Sequence, residues 1–155
     1  MKTHILVGFV LLAFAGCASY QPPFHPCIGV PEFQQWCRLA LRHPNDNQYY
    51  RQFYLAYHGD PAALHAYFID ALKQSETPYI DCEASEGLWW TLETLLARRG
   101  DERFATALTH EKSRVQSAVV NFFDERFLPQ YPKTRKVIET APNIDFPLNQ
   151  AQRRN

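Results

Sequence analysis

The sequence LAYHGD at residues 55–60 returns as LARRGD at residues 96–101, an offset of 41 residues. Both copies end in Gly-Asp after a run of apolar residues at helical spacing. Glycine commonly ends a helix, because it adopts a left-handed backbone without steric cost, and aspartate commonly begins one by accepting a backbone N–H. Each copy therefore predicts a junction between two consecutive helices.

Apolar residues at helical spacing extend on both sides of these two junctions. Between residues 64 and 72, for example, they occur at offsets 0, 3, 4, 7 and 8, which lie on one face of a helix. No stretch shows the alternation that is typical of a strand, so we predict an all-α protein. In chain order we expect helices from residue 31 to the proline at 44, over 46–58, from 61 onward, over 83–99, from 101 onward and over 111–127.

The repeated pattern also resembles a known class of helical repeat. HEAT and armadillo units recur at about 40–47 residues, and each unit is a helix pair that buries its apolar faces against its neighbours. Residues 46–127 match that period, and GDERFATALTHEKSRVQSAVVNFF at 100–123 also looks like a HEAT-type helix pair. The resemblance implies a short HEAT-like stack of antiparallel helix pairs. The alternative is an irregular helical bundle, because Gly-Asp can join helices in any hairpin.

The N-terminus has the features of an export signal. Lys2 supplies a positive charge, and residues 5–14 form an apolar run about half as long as a membrane-spanning helix requires. The motif FAGC at residues 14–17 resembles the bacterial lipobox, although that family usually has leucine in place of the phenylalanine. The resemblance implies that residues 1–16 are a lipoprotein signal peptide and that cleavage leaves Cys17 first in the chain, with lipid on its sulfur.

The same resemblance implies a location. Acyl chains such as palmitate on Cys17 would hold the protein at a membrane, since several chains together bind firmly. Lipoproteins retained at the inner membrane carry aspartate after the cysteine, whereas this chain has Ala18. We therefore expect a lipid-anchored protein of the bacterial outer membrane that faces the periplasm.

Prolines mark the boundaries of the expected helical domain. Residues 17–30 are rich in proline and show no helical period, which predicts an extended tether. Residues 31–128 form the helical domain. Residues 129–155 contain four prolines and scattered apolar residues, so we expect a mostly irregular tail with at most a helical turn near 135–140.

Charge and cysteine content restrict the function further. Lys and Arg number 16, as do Asp and Glu, and this balance excludes a nucleic-acid partner. In an oxidising compartment, Cys27, Cys37 and Cys82 predict one disulfide and one remaining thiol. We favour Cys27 with Cys37, because the proline-containing segment around Cys27 could fold back onto the helix that follows. The spacing of histidines and cysteines matches no standard zinc pattern, so we predict no metal site.

The tandem tryptophans in EGLWWTLE, residues 86–93, are the most distinctive side chains. On a helix Trp90 lies nearly opposite the leucine face, on the same side as Glu86 and Glu93. A ring between two carboxylates could stack on a sugar whose hydroxyls donate to the acids. The alternative is that Trp90 packs against an adjacent layer of helices.

The sequence contains no nucleophilic-serine motif, no C-x-x-C pair and no glycine-rich phosphate loop. No enzymatic activity is evident from these motifs, and they imply no cofactor. We expect a protein-binding helical module whose partner is another envelope protein. The alternative is a lipoprotein that binds or hydrolyses peptidoglycan or another cell-wall glycan with Trp90, Glu86 and Glu93.

Overall fold

The computed structural model describes residues 27–77 and 82–147, with the backbone alone at residue 82. The predicted signal peptide, Cys17 and most of the tether lie outside these residues. Within them the chain is all-α and contains no strand, which confirms the predicted fold class. The helices are α1 (Pro31–Arg42), α2 (Gln48–Tyr57), α3 (Pro61–Glu76), α4 (Cys82–Arg99), α5 (Asp101–Thr109), α6 (Ser113–Val119) and α7 (Pro132–Thr140). Short 3-10 turns occupy Val120–Phe122 and Leu128–Gln130.

The middle of helix α4 is enclosed by the other helices. Its residues 91–96 are all buried, although a helix packed on one face buries only every third or fourth residue. It contacts α2, α3, α5 and the 3-10 turn after α6. The leucines predicted to face the core are indeed buried, and so are the polar residues between them.

The packing of the other helices is compatible with a helical bundle or a repeat stack. Contacts of α2 with α4 and of α5 with α7 are those that stacked helix pairs require. Helix α3, however, also packs against α6, beyond the neighbouring pair, which a strict stack would lack. No helix in the two described ranges has the length and apolar character to cross a membrane.

The two copies of the repeated motif have different roles. Gly59 and Gly100 both end helices with positive φ, 108° and 80°. Asp60 then begins α3, where its carboxylate accepts the N–H of Ala63 at 2.8 Å. The carboxylate of Asp101 instead accepts two backbone N–H groups of α7, at 2.8 and 2.7 Å. Burial raises the pKa of Asp101, but these hydrogen bonds lower it by more, so it lies below its ordinary value.

The end of the described chain differs from the sequence prediction. The last long helix was expected over 111–127, but α6 ends at Val119 and the backbone is extended at Phe123. A helical turn at most was expected near 135–140, whereas α7 is a helix of nine residues that begins three residues earlier, at Pro132. Ile138 and Phe146 are buried, so this part of the tail belongs to the core. Proline at the first position and the carboxylate of Asp101 begin α7, and the second of these is a tertiary contact.

Candidate binding groove

A groove of about 800 Å³ lies between α1, α2, α3 and the first half of α4. This volume is in the range of ligand sites in proteins. Six aromatic side chains line it, together with four carboxylates and one lysine. The aromatic residues are Phe33, Trp36, Tyr49, Tyr50, Tyr67 and Trp90, and the charged ones are Glu32, Asp70, Glu83, Glu86 and Lys73.

An aromatic cluster holds α1 against α2 and forms one wall of the groove. Trp36 stacks on Phe33 with ring centroids 5.6 Å apart. Its edge contacts Tyr50 at 5.6 Å and Phe53 at 5.2 Å, and Phe53 is fully buried. Such edge-to-face pairs have a preferred geometry, so the wall is fixed by packing before any ligand arrives.

Trp90 forms a second wall of the groove, which α4 contributes, and it is only partly exposed there. Its ring stacks on Trp89, with centroids 4.6 Å apart and planes within 11°. The backbone of Gly29 covers part of the same ring. A Cβ built on Gly29 would lie 2.6 Å from Cδ2 of Trp90, and φ of 110° at this position also favours glycine. Residues 27–30 therefore pack tightly against this wall.

Three attachments hold residues 27–30 to the helices. A disulfide joins Cys27 to Cys37, the pairing that the sequence favoured. The N–H of Ile28 donates to Oγ1 of Thr94 at 3.0 Å, and Nε2 of Gln34 donates to the carbonyl of Gly29 at 2.9 Å. The last four residues of the predicted tether thus belong to the folded domain.

The groove carries excess negative charge. Asp70 pairs with Lys73 at 3.1 Å. Glu32, Glu83 and Glu86 are exposed, and none of them forms an ion pair within the described ranges. Four carboxylates therefore face one ammonium group in the groove.

Tyr67 lines the groove with a side chain that is largely buried and that ends in a hydroxyl group. Its side chain is only 9% exposed, and its hydroxyl makes no hydrogen bond to any residue in the two described ranges. Burial, reinforced by the charge of Asp70, raises the pKa of Tyr67, so the hydroxyl keeps its proton near neutral pH. It can donate a hydrogen bond to a ligand that occupies the groove.

The proposed trio of Trp90, Glu86 and Glu93 does not form a single site. Trp90 and Glu86 line the groove, but Glu93 is 3% exposed and points into the protein. One of its carboxylate oxygens accepts the N–H of Asp124 at 3.3 Å. Burial raises the pKa of Glu93, and the polar contact with Trp89 and the hydrogen bond from Asp124 offset the effect only in part. Helical spacing correctly places Glu86, Trp90 and Glu93 on one side of α4. It could not show that the segment after α6 covers this side at Glu93.

Sequence reasoning missed the aromatic residues on α1, α2 and α3 that complete the groove. A signal for them existed in QYYRQFYLAY, the sequence of α2, which has more aromatic residues than one buried stripe requires. Tyr49 is 65% exposed, so packing does not account for it.

A histidine–carboxylate pair lies outside the groove. Nδ1 of His65 lies 2.7 Å from a carboxylate oxygen of Glu111, on the surface between α3 and α6. Within the described ranges, no three His, Cys, Asp or Glu side chains come together as a ligand set for a metal ion. The groove is thus the arrangement with the shape and chemistry of a binding site.

Comparison of the chain with protein-family models, with curated proteins and with solved structures finds no match.

Proposed function

We propose that this chain is a lipid-anchored protein of the bacterial outer membrane whose helical domain binds a segment of another envelope protein. The observation that supports binding is the groove, because a wall of six aromatic side chains offers large, rigid contact area at low entropic cost. The anchor rests on the lipobox-like sequence FAGC at residues 14–17.

The anchor would restrict which partners the groove can reach. Cys27 lies ten positions after Cys17 in the sequence. An extended chain of that length spans at most about 35 Å. Because residues 27–30 adjoin the groove, the partner segment would lie near the membrane surface.

Acylation and partner binding are tested separately. Cells grown with labelled palmitate should incorporate the label into the native chain and not into Cys17→Ser. Absence of label in both proteins would contradict the anchor and would leave the binding proposal intact.

Binding is tested by photo-crosslinking in intact cells. A photo-reactive amino acid in place of Tyr49, at the mouth of the groove, should give one discrete adduct with another protein. The same group in place of Leu55, which is exposed on α2 outside the groove, is the matched control. Equal adducts at both positions, or none at either, would contradict partner binding in the groove.

A cell-wall glycan is the second candidate ligand, because Trp90 and Glu86 do share the groove. An aromatic ring beside a carboxylate suits a sugar face and its hydroxyls. Peptidoglycan fragments should then quench tryptophan fluorescence in the native chain and less in Trp90→Ala. Identical quenching curves for the two proteins would exclude this ligand.

A further inference from the structure

We infer that the groove takes an extended, cationic peptide segment, in which apolar side chains enter the aromatic part and Lys or Arg residues meet the acidic rim. This inference rests on the proposed protein-binding function and specifies the chemistry of the partner.

The first support is the charge of the rim. Glu83 and Glu86 extend from the first turns of α4, and Glu32 extends from the first turn of α1 on the other side. Helix dipoles favour negative charge in first turns, which accounts in part for Glu32 and Glu83. They do not account for Asp70 in the middle of α3 or for Glu86 one turn further along α4. Asp70 already pairs with Lys73, whereas Glu32, Glu83 and Glu86 form no ion pair within the described ranges, so a cationic partner could pair with these three.

The second support is the hydroxyl of Tyr67. The ring of Tyr67 is largely buried, which holds its hydroxyl in a fixed position, and that hydroxyl can donate one hydrogen bond and accept others. This hydroxyl opens into the groove without a partner among the described residues. The backbone carbonyl of an extended segment is an acceptor that any peptide can supply to this hydroxyl.

The third support is the shape and rigidity of the aromatic wall. The cluster around Trp36 is already assembled, and the disulfide holds residues 27–30 against Trp90. A preformed wall loses little freedom on binding, so aliphatic or aromatic side chains of the partner can be buried at low entropic cost.

The test is a selection from a random decapeptide display library on the purified full-length chain in detergent micelles. The bound peptides should be enriched in Lys and Arg relative to the starting library. The best of them is then measured by fluorescence anisotropy against four variants.

Glu86→Gln removes one rim charge and should weaken binding roughly two- to fivefold, and less at high salt. Glu125→Gln is the matched control, because Glu125 is exposed away from the groove and should leave affinity unchanged. Tyr67→Phe removes only the hydroxyl and should weaken binding roughly two- to tenfold. Tyr49 is an exposed residue of the groove, so Tyr49→Ala should weaken the binding of any peptide that occupies the groove.

The outcomes separate this inference from the proposed function. The selected peptides could be neutral or acidic and still bind Tyr49→Ala more weakly than the native chain. That result would overturn the inference of a cationic segment, while the groove would remain a protein-binding site. Equal affinity of a basic peptide for Glu86→Gln and Glu125→Gln would also overturn it. If no peptide is enriched, or Tyr49→Ala has no effect on those that are, the protein-binding groove itself is refuted.

Discussion

Reduction of the disulfide between Cys27 and Cys37 should lower the free energy of unfolding by about 2.7 kcal/mol at 25 °C. The bridge closes a loop with a sequence separation of 10. In the chain-entropy treatment, a loop of this size restricts the unfolded chain by that amount. The stabilisation therefore acts through the unfolded state, in which the neighbouring hydrogen bonds of Ile28 and Gly29 are absent.

The assay is urea unfolding of the purified chain, followed by tryptophan fluorescence with and without a phosphine reductant. For a slope of about 1–3 kcal/mol per molar urea, the reduced protein should unfold at a midpoint roughly 1 to 3 M lower. Cys27→Ser is the matched control. It cannot form the bridge, so its midpoint should be the same with and without reductant.

A second measurement examines the native state before unfolding begins. Without the bridge, residues 27–30 are held by two side-chain hydrogen bonds and by the contact of Gly29 with Trp90. We expect more of the Trp90 ring to become accessible to acrylamide, a neutral quencher. If the oxidised and reduced proteins have equal midpoints and equal quenching, the bridge neither restrains the unfolded chain nor fixes the groove wall.

Three further predictions concern the packing around the groove and the core. Gly29→Ala places a Cβ 2.6 Å from Trp90 at positive φ, so we expect a loss of about 1–3 kcal/mol and altered near-ultraviolet circular dichroism. Burial raises the pKa of Glu93 in the folded state. Its protonated carboxyl therefore favours the folded state below about pH 4, and this contribution to stability is lost as the pH rises through the raised pKa. Glu93→Gln cannot ionise and should not show this loss of stability with rising pH. The free energy of unfolding of Glu93→Gln in urea, measured relative to that of the native chain, should therefore increase from acid to neutral pH. Asp101→Ala should lower the urea unfolding midpoint more than Asp60→Ala does. The first substitution removes two capping hydrogen bonds and the second removes one, and each bond is worth about 1 kcal/mol. Equal shifts of the midpoint would show that the two copies of the motif act alike.

One member of the predicted binding trio, Glu93, lies outside the groove for a reason that periodicity cannot reveal. Glu86 and Glu93 lie on the same side of α4 when the helix is considered alone. The N-terminal half of that side opens to the groove, while the C-terminal half is covered by the segment that contains Asp124. The same helix face is therefore solvent-facing at one end and core at the other.

The C-terminal region shows a similar limit. Its four prolines and sparse apolar residues resemble an unstructured tail. Helix α7 forms because Asp101 accepts its first free N–H groups and because the buried Ile138 adds to the core. Short helices depend on tertiary packing for stability, so the residues of α7 alone predicted only a helical turn near 135–140 and not its full length.

The amino-acid sequence by itself determined the helical class of this protein, most helix boundaries and the residues of the buried stripes. These features depend on interactions within a few residues: apolar spacing, proline at helix starts, and glycine at positions 59 and 100. Only the tertiary structure decided that four helices enclose an aromatic, acidic groove, that Glu93 is buried and that Asp101 caps a helix thirty residues away. Those outcomes depend on which distant segments meet, and the spacing of residues along one helix does not specify its neighbours.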